Sequence, residues 1–227
     1  YALFSLFARV NYQYKDKYYL GAIIRRDGSS RFGANHRYGY FPGVNAAWRL
    51  TEENFMKGQD ILSDLKIRAS YGLTGNQDID NYAFASMYYT NISTSSYPIA
   101  GDPNSVTQGI SKESIGNPDL KWEKKEEWNL GFDYGFFNER LSGSIDLYQR
   151  TTRDMVWEYN VPRPPYLYPT ILANAGTMKN KGLEIRLSAI PVQTKNFQWV
   201  TTFNYSTNSN EVVSLSNNQF RVESGYF

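Results

Sequence analysis

The chain has 227 residues, a formal net charge of +2, no cysteine and a single histidine. Absent cysteine excludes a disulfide framework, a thiolate metal site and a cysteine nucleophile, and lone His36 cannot build a histidine metal cluster or a Ser/His/Asp set. Near-neutral charge gives no electrostatic case for nucleic acid, and no apolar run reaches the roughly 18 residues a membrane-crossing helix needs.

What the chain does have is alternation. A first strand over Ser5–Tyr14 puts Leu6, Ala8, Val10, Tyr12 and Tyr14 on one parity and Arg9, Asn11 and Gln13 on the other. Successive strand residues face opposite sides, so each such segment has an oily and a wet face. After a tight turn at Lys15-Asp16-Lys17, a second strand spans Tyr18–Arg26, with Ile23 breaking the alternation on the polar side. Arg26 to Gly33 reads as a loop punctuated by glycine and serine. The third strand is Tyr38–Leu50, and Pro42, which cannot donate to a ladder, predicts a bulge or a strand start there. Thr51-Glu52-Glu53-Asn54 predicts one helical turn capped by Thr51 or Asn54.

The fourth strand, Leu65–Thr74, is the cleanest. Leu65, Ile67, Ala69, Tyr71 and Leu73 oppose Lys66, Arg68, Ser70, Gly72 and Thr74. A long excursion rich in Asn, Ser, Gly and Pro fills Gly75–Lys121. A fifth strand, Glu126–Phe136, and a sixth, Leu141–Arg150, flank a tight turn at Phe137–Arg140. Thr151–Lys181 reads as a second long loop, and strands over Gly182–Ile190 and Phe197–Thr207 close the pattern.

Connections at Lys15, Thr51, Phe137 and Pro191 are the shorter set; those at Asp27, Gly75 and Thr151 are the longer. In an antiparallel meander alternate connections share a side, so one rim carries compact turns and the other large loops. That sidedness, with strands of about ten alternating residues, is the pattern of an outer-membrane β-barrel. Aromatics agree with it. Tyr12, Tyr14, Tyr18, Trp48, Phe136 and Trp199 fall near the short turns, and Tyr40, Tyr71, Trp128 and Tyr205 near the long loops, as two interfacial girdles require. A soluble β-sandwich also alternates, but its strands average about 5–6 residues and need no sided loops.

On the parity opposite the apolar stripe lie Arg25, Arg49, Lys66, Arg68, Asp133, Asp146, Arg150, Glu184 and Arg186, read as lumen-facing charges that pair with one another or with a plug, or guide substrate. Asp27, Asp78, Asp80 and Asp102 match no calcium loop and read as ordinary turn residues. Lys121, Glu123, Lys124, Lys125, Glu126 and Glu127 form a mixed charge run at a strand entrance. Tyr88, Tyr89, Tyr97, Tyr166 and Tyr168 are candidates for contact with substrate or a lid. No catalytic set, cofactor loop or metal site is found.

Several motifs occur together: Arg26-Asp27-Gly28-Ser29-Ser30-Arg31-Phe32-Gly33, Tyr40-Phe41-Pro42, Ala46-Ala47-Trp48-Arg49-Leu50, the run Leu65 to Gln77, Asn117-Pro118-Asp119-Leu120-Lys121-Trp122-Glu123, Asn174-Ala175-Gly176 and Asn180-Lys181-Gly182-Leu183-Glu184. Together they resemble the barrel of SusC/RagA-type TonB-dependent outer-membrane transporters along nearly the whole chain. The resemblance implies a 22-stranded barrel plugged by an N-terminal domain. It further implies a SusD-like surface lipoprotein as lid, and import of oligosaccharide or peptide powered through TonB across the outer membrane of a Bacteroidetes-type bacterium. The chain is then expected to be a piece of the C-terminal barrel, its eight strands about a third of the wall, with the plug and TonB-contacting region outside it. A passive porin or a surface adhesin is the alternative reading, and a soluble carbohydrate-binding β-sandwich a third.

Overall fold

The computed structural model describes residues 1–90, 96–98, 106–166 and 168–216, apart from the side chains of residues 89, 106, 112 and 113. Its main element is one antiparallel sheet of eight long strands: β1 (Leu3–Tyr14), β2 (Tyr18–Ser29), β3 (Tyr38–Arg49), β4 (Leu62–Asn76), β9 (Glu123–Phe136), β10 (Leu141–Asn160), β11 (Thr170–Gln193) and β12 (Gln198–Ser214). They follow one another in that order as a pure meander. Two small hairpins branch from the β4–β9 connection, β5 (Met87–Tyr89) with β8 (Ser111–Ser114) and β6 (Ser96–Pro98) with β7 (Val106–Gln108). No strand among the described residues covers the outer edge of β1 or β12.

The register arranges each face in rows that cross the whole sheet. One row runs Tyr14, Tyr18, Trp48, Ile67, Phe132, Ile145, Ile185, Tyr205. The next position along every strand gives Gln13, Tyr19, Ala47, Arg68, Gly131, Asp146, Glu184, Ser206. The sheet therefore has one apolar and one charged face, as the alternation predicts.

Rows and strand ends are not parallel. Tyr14 is the last residue of β1, whereas Tyr205, in the same row seven strands away, stands seven residues beyond Gln198 at the start of β12. Each strand is thus offset from its neighbour by about one residue. With about 3.3 Å of rise and 4.8 Å between strands, that is a tilt of about 35°, the slant of a barrel wall. The slant explains why Tyr205, aligned with Trp48 in register, belongs to the girdle at the other rim.

The apolar face stays largely open, with Leu20, Val44, Trp128, Leu130, Leu147 and Phe203 exposed. A contiguous apolar surface of this width needs a non-aqueous neighbour. The compact hydrophobic core lies instead at the long-loop end. There Phe32, Phe41, Ile79, Leu120 and Trp122 are buried together, with Leu73, Ala83, Val156 and Leu172 packed around them.

Four local expectations are corrected. Pro42 makes no bulge: it pairs with Ile24 in an unbroken β2–β3 ladder, and the β3–β4 ladder begins only at Gly43. Its missing N–H therefore faces no partner strand. The stretch after β3 is two 3₁₀ turns, Leu50–Glu52 and Asn54–Met56, and neither Thr51 nor Asn54 caps them. The Thr51 hydroxyl donates instead to Asp64, 3.3 Å away. Most of Thr151–Lys181 is not loop but the outer halves of β10 and β11, strands of 20 and 24 residues. Finally, β2 runs on to Ser29, so Asp27 lies in a strand, buried and paired with Arg25 at 2.6 Å.

Candidate functional site

The charged face carries a lattice of cross-strand ion pairs. Arg68 on β4 grips Asp133 on β9 in a two-point fork, 2.8 Å at both Nε and Nη2, and its Nη2 also reaches Asp146 on β10 at 3.0 Å. Lys66 stands 3.6 Å from Asp133. The planar guanidinium fits such a fork where an ammonium would not. Gly131 lies between Arg68 and Asp146 in the row, and a Cβ there would come within 2.7 Å of both side chains. Glycine is what lets the arginine cross β9 to reach β10.

Further pairs continue the lattice. Arg150 forks onto Glu127 at 2.8 and 3.3 Å, and Arg49 meets Asp64 at 3.2 Å. Glu184 adjoins Asp146 in register and Arg186 adjoins Ser144, and among the described residues neither has an ion-pair partner. Of the predicted charges, Lys66, Arg68, Asp133 and Asp146 thus form one cluster. Arg25 and Arg49 are paired separately.

The loop tyrosines do not converge. Tyr88, Tyr97 and Tyr166 are exposed, on β5, on β6 and in the β10–β11 turn respectively, and Tyr168 is half-buried in that turn. No ring contact joins them among the described residues. The Tyr89 side chain and Asp102 lie outside the described residues. Among those described, no group of carboxylates and histidine could hold a metal ion.

Two clusters escaped the sequence reading. At the long-loop end, the β3–β4 ladder stops at Gly43–Gly72, and beyond it the Phe41 ring approaches Gly39 and Gly75 so closely that a Cβ at either would collide with it. Trp122 packs on Phe32 and Phe41 with centroids 5.2 and 5.4 Å away, and its indole N–H donates to the Arg37 carbonyl at 3.1 Å. Asn174 fixes this segment to β11. Its amide accepts from the Lys121 N–H at 2.9 Å and donates to the Lys121 and Asp154 carbonyls, each at 2.8 Å. The motifs at 26–33, 40–42, 117–123 and 174–176 are therefore one assembly, and their joint occurrence was the signal.

At the opposite rim, Glu53 accepts from Lys17 Nζ at 2.9 Å, Tyr18 Oη at 2.6 Å and Trp48 Nε1 at 3.1 Å. Tyr14, Tyr18 and Trp48 stack in sequence, 6.5 and 6.4 Å apart. These donors hold the Glu53 carboxyl down at about 2, the Tyr18 hydroxyl contributing most.

A slanted meander with one open apolar face, one ion-paired face and a packed assembly at a single rim is what comparison with known proteins also finds. The family model described as TonB-dependent receptor-like β-barrel matches residues 1–227. The chain belongs to that family. Family members are outer-membrane β-barrel proteins of Gram-negative bacteria. The TonB-dependent receptor P39 of Formosa agariphila is 41% identical over 99% of this chain and 21% of its own length. The TonB-dependent receptor SusC of Bacteroides thetaiotaomicron is 38% identical over 98% of this chain and 22% of its own. The RagAB peptide importer in its open-open state matches 94% of this chain and 22% of the solved one, with a TM-score of 0.84 and 34% identity. The chain thus spans about a fifth of the length of these relatives.

Proposed function

We propose that this segment is part of the C-terminal barrel wall of an active importer in the outer membrane of a Bacteroidetes-type bacterium. Its apolar face meets lipid and its charged face lines the lumen. The observation that carries this reading is the pairing of those two faces on one slanted sheet. Outward side chains are left open over the whole width, while on the inward face Arg68, Asp133 and Asp146 pair among themselves. A wall built so can bound a wet interior without a stray charge in lipid.

The transported nutrient is an oligosaccharide or a peptide. Likeness to SusC and to the RagAB peptide importer supports this class. A SusD-like lipoprotein lids the long-loop rim, where Tyr88, Tyr97, Tyr166 and Tyr168 offer contacts, and TonB supplies energy through a region outside this segment. Uptake by the full-length protein should stop when TonB is deleted or the proton-motive force is collapsed, and the purified protein should show no steady conductance in planar bilayers. Persistent TonB-independent uptake with open-channel conductance would identify a passive porin instead.

A further inference from the structure

One row of the charged face carries no charged side chain. From β3 to β12 it runs Asn45, Ser70, Asn129, Tyr148, Gly182, Asn208. It lies two residues further from the short turns than the row of Arg68, Gly131 and Asp146. Its polar members bear an amide or a hydroxyl, and each can both donate and accept.

In the adjoining rows polar groups satisfy one another. Arg68 holds Asp146 on the short-turn side, and on the long-loop side Arg150 forks onto Glu127 while Asn180 donates to Asn210. In the row between, the side chains of Asn45, Ser70, Asn129 and Asn208 and the Tyr148 hydroxyl make no hydrogen bond among the described residues. Asn45, Ser70 and Asn208 are exposed. Two of these groups are nonetheless held against the wall. The Asn45 amide lies over Gly21 and the Tyr148 hydroxyl over Gly182, where a Cβ would stand only 2.7 and 2.6 Å from them. Arg150 rests on the Tyr148 ring, 4.7 Å from its centroid.

The row is also a ramp. Asn45 stands four residues from the short-turn end of β3, Tyr148 seven from that of β10, and Asn208 ten from that of β12. With about 3.3 Å per residue and a tilt of about 35°, this line climbs roughly 16 Å up the wall towards the long-loop rim. Its chemistry suits a chain of hydroxyls, which brings many groups that donate and accept and no charge to match. A peptide would bring charged termini and side chains that need counter-charges or pockets, and this row offers neither.

We propose that the row is a track along which an uncharged, hydroxyl-rich chain, a neutral oligosaccharide, passes between the rims. The proposal rests on the importer reading above and selects one of its two nutrient classes. Each hydrogen bond is weak on balance, so the chain is guided from one strand to the next without being trapped.

The test is uptake by cells whose only copy is the full-length protein, scaled to the folded amount in the outer membrane. Three probe sets are supplied: neutral oligosaccharides from partial hydrolysis of starch, mannan and xylan; oligogalacturonates; and a tryptic digest of casein. Depletion from the medium is followed by mass spectrometry. Wild type should deplete a neutral set in a TonB-dependent manner. Asn45→Ala, Asn129→Ala and Asn208→Ala should each lower that uptake roughly five-fold at sub-saturating probe, the worth of one hydrogen bond. Ser144→Ala, Thr202→Ala and Ser206→Ala, on the same face but outside the row, should leave it unchanged. TonB-dependent uptake of peptides or oligogalacturonates alone would overturn the track while leaving the importer standing. So would neutral uptake indifferent to the three asparagines, or a wild type that depletes no set. Row variants that conduct in planar bilayers where the wild type is silent would assign the row to a lumen-filling domain and sink the track. TonB-independent uptake with steady wild-type conductance would sink both readings.

Discussion

Asn174 and Lys121 bond to each other twice, the Asn174 amide accepting the Lys121 N–H and donating to the Lys121 carbonyl. A side chain here plays the part of a neighbouring strand. It ties the segment entering β9 to β11, two strands away, across the outer part of β10.

Asn174→Ala removes three hydrogen bonds and strands partly buried backbone groups at Lys121 and Asp154. The expected loss is about 2 kcal/mol of local stability. It should register as faster hydrogen exchange over residues 117–123, with the membrane strands unchanged. Asn174→Asp keeps the acceptor only and should fall between the two.

Trp122→Ala empties the centre of the long-loop core. A loss of about 3–5 kcal/mol follows from a cavity of that size, readable as protease cleavage near Gly116–Leu120 in the full-length protein. Gly75→Ala should loosen the same region by forcing a methyl into the Phe41 ring.

Leu130→Arg places a charge on the apolar face between Ala69 and Leu147, two residues further from the short turns than the row of Trp48 and Phe132. Folding into lipid vesicles should weaken by about 2–4 kcal/mol, the cost of a cation well inside the apolar band. Arg68→Lys keeps a charge on the other face and gives up only the fork, so about 1 kcal/mol is expected. Equal effects would show that the faces have been exchanged.

Glu53 titrates at about 2 in the folded protein, well under an ordinary carboxylate. Its folded-state pKa is depressed, so its contribution is complete above pH 4.5 and disappears as pH falls from there through about 2. Hydrogen exchange of residues 50–57, corrected for intrinsic rates, should accelerate over that window. Glu53→Gln should show the accelerated rate already at pH 7.

The sheet order, the faces and the two rims were legible in the sequence because lipid on one side and water on the other force a period of two. Where both faces are wet the signal ends. Thr151–Asn160 and Thr170–Lys181 carry polar residues on both parities, so strands extending past the membrane read as loop. Phe41 falls on the charged parity and gave no sign of a core, since its partners Phe32 and Trp122 come from connections on either side. Glu53 looked like any acid in a turn, because its three donors meet only when the β1–β2 turn and the residues after β3 are folded together. The charged cluster was half visible: parity gave its members, but only the register shows that Gly131 opens the way from Arg68 to Asp146.

The one-residue offset between neighbouring strands has a wider consequence. Round any closed wall such offsets add to a fixed total, as the threads of a screw add to its pitch. A hairpin slid by two residues keeps its own faces right, yet leaves the seam at β1 or β12 mismatched by the same two residues. Segments such as this one can therefore be exchanged between relatives only as blocks of equal pitch, and loops rather than strands are where such proteins are free to diverge in length.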